Sequence, residues 1–367
     1  MMNMEQHTRL VLDTTTKLTK PKISASFLLA LVLITFVACS QDTGIYALDE
    51  TAPVKTAKDA ADDPAIIINY KNPSASLFFG TDKTAGVYLY DLKGVQQSFS
   101  PLGAINNIDV RQQNLEIFLA VTNRSNQSVG FWVIDQKTFF ANNHESQDVF
   151  SIAKRSFNIF SSIDIYGICI GMIGGTPVAF VTEDRGPKVE LWTLENQQLV
   201  GTFDNGGESE GCVFDDENQT LFISEEETNG VLKAYNLNQD YPFANPVIVD
   251  SREGNIGGDP EGVAIYKTSD TEGYVILSSQ GDDKYNVYNR QKPYRFISSF
   301  TVDDSPRGVD GTSHTDGISV SSYNFGGKYT KGIMIAQDDE NLAGEELKNQ
   351  NFKIIPFKQV LKALKSD

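Results

Sequence analysis

Short apolar strands alternate with polar turns six times along this chain. In each repeat, a first strand begins beside an acidic residue or a tyrosine, and a second strand ends in a polar or charged residue. The strand starts are Asp62-Asp63-Pro64, Asn107-Ile108-Asp109, Tyr166-Gly167, Glu210-Gly211, Glu261-Gly262 and Asp316-Gly317. The strand ends are Thr81-Asp82-Lys83, Asn123-Arg124, Asp184-Arg185, Glu225-Glu226, Ser279-Gln280 and Gln337-Asp338. A third strand, rich in aromatic and β-branched residues, follows each pair.

Three or four short strands in each of six units predict an all-β fold, a six-bladed β-propeller in a single domain. A β-sandwich with irregular strands is the alternative, but it does not predict six copies of one strand order with a polar position at the same edge. We expect residues 352–357 to supply the third strand of the last blade and residues 62–70 to help close the ring. Residues 361–365 are expected to form a short terminal helix.

The polar positions are expected to converge on one face of the ring, because strands joined by hairpins run antiparallel and place the start of one beside the end of the next. The first three strand ends supply Lys83, Arg124 and Arg185. The last three include Glu226 and Asp338. One side of the face is therefore cationic and the other is rich in carboxylates, which favours a phosphorylated ligand bound together with calcium.

The net charge of the chain limits the classes of molecule that we expect it to bind. It has 31 Lys and Arg against 48 Asp and Glu, a formal net charge of −17 and a pI of about 4.6. Nucleic acid is excluded as a partner, because phosphate backbones are bound by clustered Lys and Arg. The carboxylates recur at strand starts and ends, which a merely solvated surface would not require.

The N-terminal residues have the pattern of an export signal. Lys17, Lys20 and Lys22 precede an uncharged run over residues 23–38, which is shorter than a membrane-spanning helix needs. Cys39 follows a small residue directly, as in the bacterial lipobox, where the thiol carries diacylglycerol. An ordinary signal peptide or a single membrane anchor is the alternative.

From this pattern we expect a lipoprotein-type signal peptide over residues 1–38, a tether over residues 39–49 and the propeller domain over residues 50–367. The protein would then be exported, either as a lipoprotein of the outer membrane or periplasm or as a secreted protein. Its contact with a membrane would run only through the N-terminal lipid.

Two further cysteines, Cys169 and Cys212, lie in the predicted domain, and export permits a disulfide. If Tyr166-Gly167 and Glu210-Gly211 are equivalent, Cys169 lies one place further along its strand than Cys212. An offset of one residue points two side chains to opposite faces of a sheet. We therefore expect two buried free thiols.

The acidic segments supply candidate metal ligands. Calcium binds six to eight oxygens from carboxylates, carbonyls and water, whereas zinc prefers Cys and His. After the predicted signal, only His144 and His314 remain, and their spacing suits no zinc site. The sequence contains no Arg-His-Gly-x-Arg phosphatase signature and no Cys-x₅-Arg loop. Attack on phosphorus by metal-activated water is therefore the mechanism that the residues favour.

Several segments, in the same order, resemble those of the β-propeller phytases, calcium-dependent enzymes that remove phosphate from phytate (myo-inositol hexakisphosphate). The similarity extends from about residue 50 to residue 357, and the six-bladed propeller that it implies agrees with the repeat count. The matching segments are Asp62-Asp63-Pro64-Ala65-Ile66, Asn106-Asn107-Ile108-Asp109-Val110-Arg111, Asn123-Arg124, Glu210-Gly211-Cys212-Val213-Phe214-Asp215, Ser278-Ser279-Gln280-Gly281, Asp310-Gly311-Thr312-Ser313-His314-Thr315-Asp316, Ala336-Gln337-Asp338 and Asn349-Gln350-Asn351-Phe352-Lys353.

The resemblance and the acidic segments together assign roles to individual residues. Phosphate is expected to bind Lys83, Arg124 and Tyr166, with Arg185 as a further candidate in the third blade. Water that attacks phosphorus is expected to be oriented by Glu210, Glu261 and Asp310. The residues expected to hold Ca²⁺ are Glu50, Asp63, Glu210, Glu226, Asp259, Glu261, Asp310, Asp338 and Asn341.

These roles describe a monomeric phosphomonoesterase that hydrolyses phytate, bound as its calcium complex, to lower inositol phosphates and phosphate. Two other functions fit the same sequence features. One is a non-catalytic, calcium-binding surface propeller that captures anionic ligands. The other is a different propeller hydrolase, such as a lactonase or a diesterase.

Overall fold

The computed structural model describes residues 44–142, 144–145, 148–226 and 230–365. The predicted signal peptide, Cys39 and the first part of the predicted tether lie outside these residues. Within the described residues, helices are too short or too polar to cross a membrane.

Six four-stranded antiparallel sheets follow one another along the chain, and we number them blades 1 to 6. Blade 1 contains Ala61–Ile67, Leu77–Asp82, Gly86–Asp91 and Gln96–Ser100. Blade 2 contains Ile105–Gln113, Glu116–Asn123, Ser128–Asp135 and Arg155–Phe160. Blade 3 contains Ile165–Ile173, Thr176–Glu183, Lys188–Thr193 and Gln198–Asp204. Blade 4 contains Cys212–Asp215, Thr220–Glu225, Val231–Asn236 and Val247–Ser251. Blade 5 contains Pro260–Lys267, Gly273–Ser279, Lys284–Asn289 and Phe296–Phe300. Blade 6 contains Ile318–Ser321, Ile333–Asp338, Asn351–Pro356 and Asp49–Glu50.

The blades form a closed ring, because the inner strands of consecutive blades contact each other and that of blade 6 contacts that of blade 1. The predicted six-bladed propeller is confirmed. Each blade junction holds one buried hydrophobic cluster of the described residues, with side chains from both neighbouring sheets. At the junction of blades 3 and 4, for example, Phe180 stacks on Phe214 with 5.4 Å between ring centroids. Burial on both faces explains why the central strands are apolar and β-branched rather than strictly alternating.

Asp49–Glu50 closes the ring by pairing with Asn351–Pro356, the third strand of blade 6, as predicted for residues 352–357. The prediction that residues 62–70 close the ring is wrong, because Ala61–Ile67 is the inner strand of blade 1. Residues 44–49 do not form a tether. Ile45 is buried and its carbonyl oxygen accepts a hydrogen bond from a backbone N–H in the loop after blade 5, so this segment packs against the propeller.

The remaining elements are short helices and one small hairpin. The terminal helix begins at Phe357, four residues before its predicted start, and ends at Ala363. The other elements are the α-helix Gln136–Ala141, the 3₁₀ helices Pro73–Ala75, Val149–Ile152, Gln280–Asp282 and Gly327–Tyr329, and the hairpin Leu342–Ala343 with Glu346–Leu347.

Cys169 and Cys212 form a disulfide, so the prediction of two free thiols is wrong. The two residues lie on the inner strands of blades 3 and 4. Neighbouring blades pack face to face. Blade 3 contacts blade 4 through one face of its sheet, and blade 4 contacts blade 3 through the opposite face of its own sheet. An offset of one residue therefore directs the two side chains toward each other.

Candidate functional site

Each blade places one polar residue at or just before the start of its inner strand, and the four of these that are carboxylates line a central cavity of about 540 Å³. We call the six residues the inner ring. In blades 1, 2, 3 and 5 the residue lies in a β-bulge, which removes it from the ladder of strand pairing and redirects its side chain. The inner ring consists of Asp62, Asn106, Tyr166, Glu210, Glu261 and Asp316.

Glycine follows the inner-ring residue in blades 3 to 6 because the next blade leaves no room for a side chain. A Cβ atom on Gly167 would lie 2.1 Å from the carbonyl oxygen of Glu210. A Cβ atom on Gly211 would lie 2.1 Å from the carbonyl oxygen of Glu261. The last two junctions repeat this contact. The recurring acid-glycine pair in the sequence therefore reflects blade packing as well as ligand chemistry.

Replacing Gly211 with alanine is expected to destabilise the protein by about 1–3 kcal/mol, because the added methyl group meets a backbone atom that cannot move alone. Urea denaturation measures the change. Gly201→Ala is the matched control, since no described heavy atom lies within 4 Å of the added Cβ. Equal stability losses in the two variants would contradict the packing argument.

The carboxylates of Glu210, Glu226 and Glu261 each place an oxygen within 4.8 Å of the others. Among the described residues, none donates a hydrogen bond to either oxygen of Asp62, to Oε1 of Glu226 or to Oε2 of Glu261, although these atoms are buried. Burial first, and repulsion from neighbouring carboxylates second, raise the pKa of Asp62 and Glu261 well above the usual range and that of Glu226 to about 10. Orphaned oxygens in an all-carboxylate set fit a hard cation such as calcium.

These pKa shifts give metal-free protein a definite pH dependence. A carboxyl whose pKa is about 10 in the folded state and near 4.5 in the unfolded state binds more protons when folded. The contribution of this carboxyl to the free energy of unfolding is therefore present at low pH, and it is lost as the pH rises from about 4.5 to about 10. We expect the Tm of protein kept in EGTA to fall between pH 5 and pH 9, and calcium to reverse the trend. A Tm that rises with pH in EGTA would contradict this assignment.

Lys83 brings a buried positive charge to the same ring. Its Nζ lies 2.8 Å from Asp316, 2.9 Å from Asp59 and 3.8 Å from Asp62. Burial alone would lower the pKa of the ammonium group, but Asp62 and Asp316 outweigh it and keep the group charged. Glu210 is close enough to contribute to the same shift. The structure therefore brings Lys83 together with the carboxylates of the inner ring, as predicted.

Arg124 is held at the rim by contacts on three sides. Its Nη1 donates to Asn106 at 3.2 Å, its Nη2 donates to Asp184 at 3.3 Å, and its guanidinium lies 5.5 Å from the ring centroid of Tyr166. Asn106 and the Tyr166 hydroxyl in turn hydrogen-bond the Glu210 carboxylate. Burial and the nearby Glu210 charge raise the pKa of Tyr166, so its hydroxyl stays a donor. Arg124 and Tyr166 thus join the cationic and acidic parts of the site.

Three predicted site residues have structural partners instead. The Asp63 carboxylate accepts a hydrogen bond from the backbone N–H of Ile108, which links blades 1 and 2. Asp259 is paired with Arg252. The Arg185 side chain is 81% exposed and pairs with Asp184, so it does not reach the inner ring.

Four other predicted calcium ligands form a separate cluster around Lys353. Its fully buried Nζ lies 2.6 Å from Glu50, 3.2 Å from Asp338 and 3.3 Å from Asn341, and it also contacts Asp310. An ammonium group thus already supplies a positive charge at this position.

Asp310 also accepts the backbone N–H of Leu342, so the structure places Asp310 in this second cluster and not beside Glu210 and Glu261. Asp310 contacts Lys353 and Leu342, and its predicted catalytic role stays a prediction.

Comparison with known proteins identifies the family to which this chain belongs. A family model described as Phytase matches residues 14–367. The chain belongs to the phytase family. A 3-phytase of Bacillus subtilis (strain 168) is 32% identical over 335 residues, which cover 87% of this chain and 85% of that protein.

Two solved structures share the propeller architecture of this phytase family member. An auxiliary nutrient binding protein from Bacteroides thetaiotaomicron matches with a TM-score of 0.54 and 13% identity, over 84% of this chain and 72% of that one. The WD40 repeats of RRP9 match with a TM-score of 0.50 and 10% identity, over 84% of this chain and 99% of that one. At these identities, the likeness shows the fold alone.

Sequence reasoning missed four residues of this phytase family member's two clusters as site residues: Asp62, Asn106, Asp316 and Lys353. A usable signal existed for Asp62 and Asp316, because both stand at strand starts in line with Glu210 and Glu261. Asn106 lay one residue before the expected start in blade 2. Lys353 had no such signal, because it lies within the third strand of blade 6 and not at a strand start or end.

Proposed function

We propose that this protein hydrolyses phytate to lower inositol phosphates and phosphate in a calcium-dependent reaction at the inner ring. One observation carries the proposal: buried carboxylate oxygens of Asp62, Glu226 and Glu261 without hydrogen-bond donors among the described residues lie beside two fixed cations, Lys83 and Arg124. A site with both charges can bind a phosphorylated polyanion and a divalent cation together. Membership of the phytase family and the similarity to a 3-phytase support the choice of substrate.

The residues that would hold calcium are Glu210, Glu226 and Glu261, with Asp62 adjoining them. When bound, calcium would neutralise these carboxylates, polarise phosphoryl oxygens and make nearby water more acidic. The carboxylates themselves would orient water by accepting its hydrogen bonds. Glu210 is the best placed of them, because Asn106 and Tyr166 fix its position.

Lys83 and Arg124 would bind the phosphoryl oxygens of the substrate. Arg124 has five N–H donors, of which two are engaged by Asn106 and Asp184, so donors remain for a phosphate. Lys83 would stabilise charge that develops on the phosphoryl group, since its ammonium is already oriented by Asp59 and Asp316. The hydroxyl of Tyr166 would donate a further hydrogen bond from the edge of the site.

We also propose that the protein acts after export, as a monomer. The disulfide between Cys169 and Cys212 supports export, because disulfides persist mainly in oxidising compartments. The pattern of residues 1–39 supports a lipid anchor.

The decisive experiment is phosphate release by the purified protein across a calcium titration, with phytate, a lactone and a phosphodiester as parallel substrates. We expect phosphate release from phytate and no turnover of the lactone or the phosphodiester. The rate of phosphate release should increase with calcium concentration. Preferential turnover of the lactone or diester would favour the other hydrolase, and calcium binding without turnover of any substrate would favour a capture module.

Reversing the charge of Arg124 tests the cationic part of the site. Arg124→Glu is expected to raise KM for phytate about tenfold or more, because a charge-assisted phosphate contact is replaced by repulsion. Arg155→Glu, on the outer strand of blade 2 and paired with Glu195, is the control with the same charge change. An unchanged KM in Arg124→Glu would remove this residue from the substrate site.

A further inference from the structure

The disulfide lies directly beside the inner ring. Cys169 follows Tyr166 by three positions, and Cys212 follows Glu210 by two. Their Cα atoms are 5.6 Å apart. The bridge therefore joins the two strands that begin at Tyr166 and Glu210, and it is the only disulfide within the residues that the structure describes.

Backbone hydrogen bonds on either side of Glu210 tie its segment to the second strand of its own blade. The inner strand of blade 4 begins only at Cys212 and has four residues, whereas that of blade 3 has nine. Glu210 therefore precedes the ladder of strand pairing. The backbone N–H of Ser224 donates to the carbonyl oxygen of Gly211 at 2.9 Å, and the N–H of Glu226 donates to the carbonyl oxygen of Glu208 at 2.9 Å. These bonds hold the segment on both sides of Glu210.

The charges at this junction act to separate its members. Glu210 lies among the carboxylates of Glu226 and Glu261, whose oxygens are within 4.8 Å of its own. In the ionised state that binds a cation, carboxylates this close repel one another strongly in a buried environment. This repulsion favours an outward movement of the segment at Glu210, which the disulfide to the inner strand of blade 3 opposes together with the flanking hydrogen bonds.

We propose that the Cys169–Cys212 disulfide is a positioning element for the metal and phosphate site. It fixes the separation between the strand starts at Tyr166 and Glu210, so that the carboxylates stay close enough to share one cation. Preorganisation of this kind strengthens binding, because the ligand does not have to draw the groups together. The inference rests on the proposed calcium-dependent function.

The first test replaces both cysteines, as Cys169→Ala with Cys212→Ala in the full chain. Calcium binding is measured by titration calorimetry with calcium chloride. We expect the Kd to rise about tenfold, as is typical when groups that support metal ligands are removed. The kcat for phytate at saturating calcium is expected to recover most of its original value, because the ligands themselves remain.

Loss of a disulfide also lowers global stability, so a destabilised control is needed. Phe139→Ala removes a fully buried ring from the helix Gln136–Ala141 of blade 2, outside the inner ring and its contacts. The control should lower Tm without changing the Kd for calcium. Equal weakening of calcium binding in both variants would mean that stability alone is responsible, and would overturn the proposal.

A second arm keeps the natural sequence and applies even if the double variant does not fold. Folded protein is treated with dithiothreitol, a dithiol that transfers two electrons and two protons to the disulfide. The products are two cysteine thiols and the cyclic disulfide of the reagent. After removal of the reagent, weaker calcium binding is expected, with full recovery after reoxidation. Unchanged binding in protein that shows two more titratable thiols than the untreated protein would overturn the inference.

The two proposals fail in distinguishable ways. Absence of calcium binding in the untreated natural protein would reject the proposed calcium-dependent function and, with it, this inference. Normal calcium binding in both the natural protein and the cysteine variant would reject only the positioning role of the disulfide.

Discussion

Replacing Glu210 with glutamine is expected to lower kcat for phytate about a hundredfold or more. The substitution keeps the size of the side chain but removes one negative charge from the centre of the group formed with Glu226 and Glu261. The amide of the new side chain can take two orientations. In one, its NH₂ group replaces the oxygen that accepts hydrogen bonds from Asn106 and Tyr166, and in the other the NH₂ group faces the cation. Both changes weaken the binding of calcium and the orientation of water.

Phosphate release at several calcium concentrations measures this effect. Glu195→Gln is the matched control, because it makes the same chemical change at an exposed carboxylate that pairs with Arg155 on the outer side of the ring. The Tm of the Glu210 variant in EGTA should be equal to or higher than that of the natural protein, since repulsion within the group is relieved. Activity within a few-fold of the natural enzyme would exclude Glu210 from the centre of the reaction.

Removal of calcium is expected to abolish phytate hydrolysis. Without a divalent cation, Asp62, Glu210, Glu226 and Glu261 present concentrated negative charge or bound protons, and neither state attracts a phosphate polyanion. The Tm should fall as well, because a ligand present at a hundred times its Kd stabilises the folded state by about 2.7 kcal/mol.

Activity and Tm are measured together, first with EGTA and then after calcium is restored. EGTA already saturated with calcium is the control for effects of the chelator itself. Recovery of both quantities at the same calcium concentration would show that one class of site controls them. Full activity in EGTA would reject calcium dependence, and magnesium tested in parallel reports the selectivity of the oxygen cluster.

The blades could be predicted from the sequence because their signal is local. The segment around Tyr88, for instance, combines aromatic and β-branched residues over a few positions and forms the strand Gly86–Asp91. Closure of the ring had no such signal. Asp49–Glu50 is a two-residue strand, and its pairing with Asn351–Pro356 depends on contacts between distant parts of the chain.

The structure brings together the predicted residues that the repeat itself marks, and in blades 1 and 2 it places the neighbouring residue in the ring. Glu210 and Glu261 were identified because both are acidic residues at strand starts and lie in segments that resemble the phytase family. Asp62 and Asp63 are adjacent in a β-bulge, and the sequence cannot tell which of them enters the ring. In the structure, the N–H of Asp63 donates to Thr81 and its carboxylate accepts from Ile108, so Asp62 is the one that remains for the ring.

The second acidic cluster could not be separated from the first for a different reason. Asp310 and Asp338 resemble the other carboxylates in composition and in their position near strand ends. What distinguishes them is the ammonium group of Lys353, which reaches them from the neighbouring strand. Only the order of strands within blade 6 reveals this contact, because Lys353 lies far from Asp310 in the sequence and meets both carboxylates through the folded blade.

The inner ring takes a single side chain from each blade, at an equivalent backbone position, while the hydrophobic clusters between blades are built from other residues. The chemistry at the inner ring can therefore change by one substitution at a time without disturbing the scaffold. An asparagine and a tyrosine already stand where four other blades carry carboxylates. Divergence among propellers with this architecture could thus proceed blade by blade, with the charge of the inner ring as the property on which selection acts.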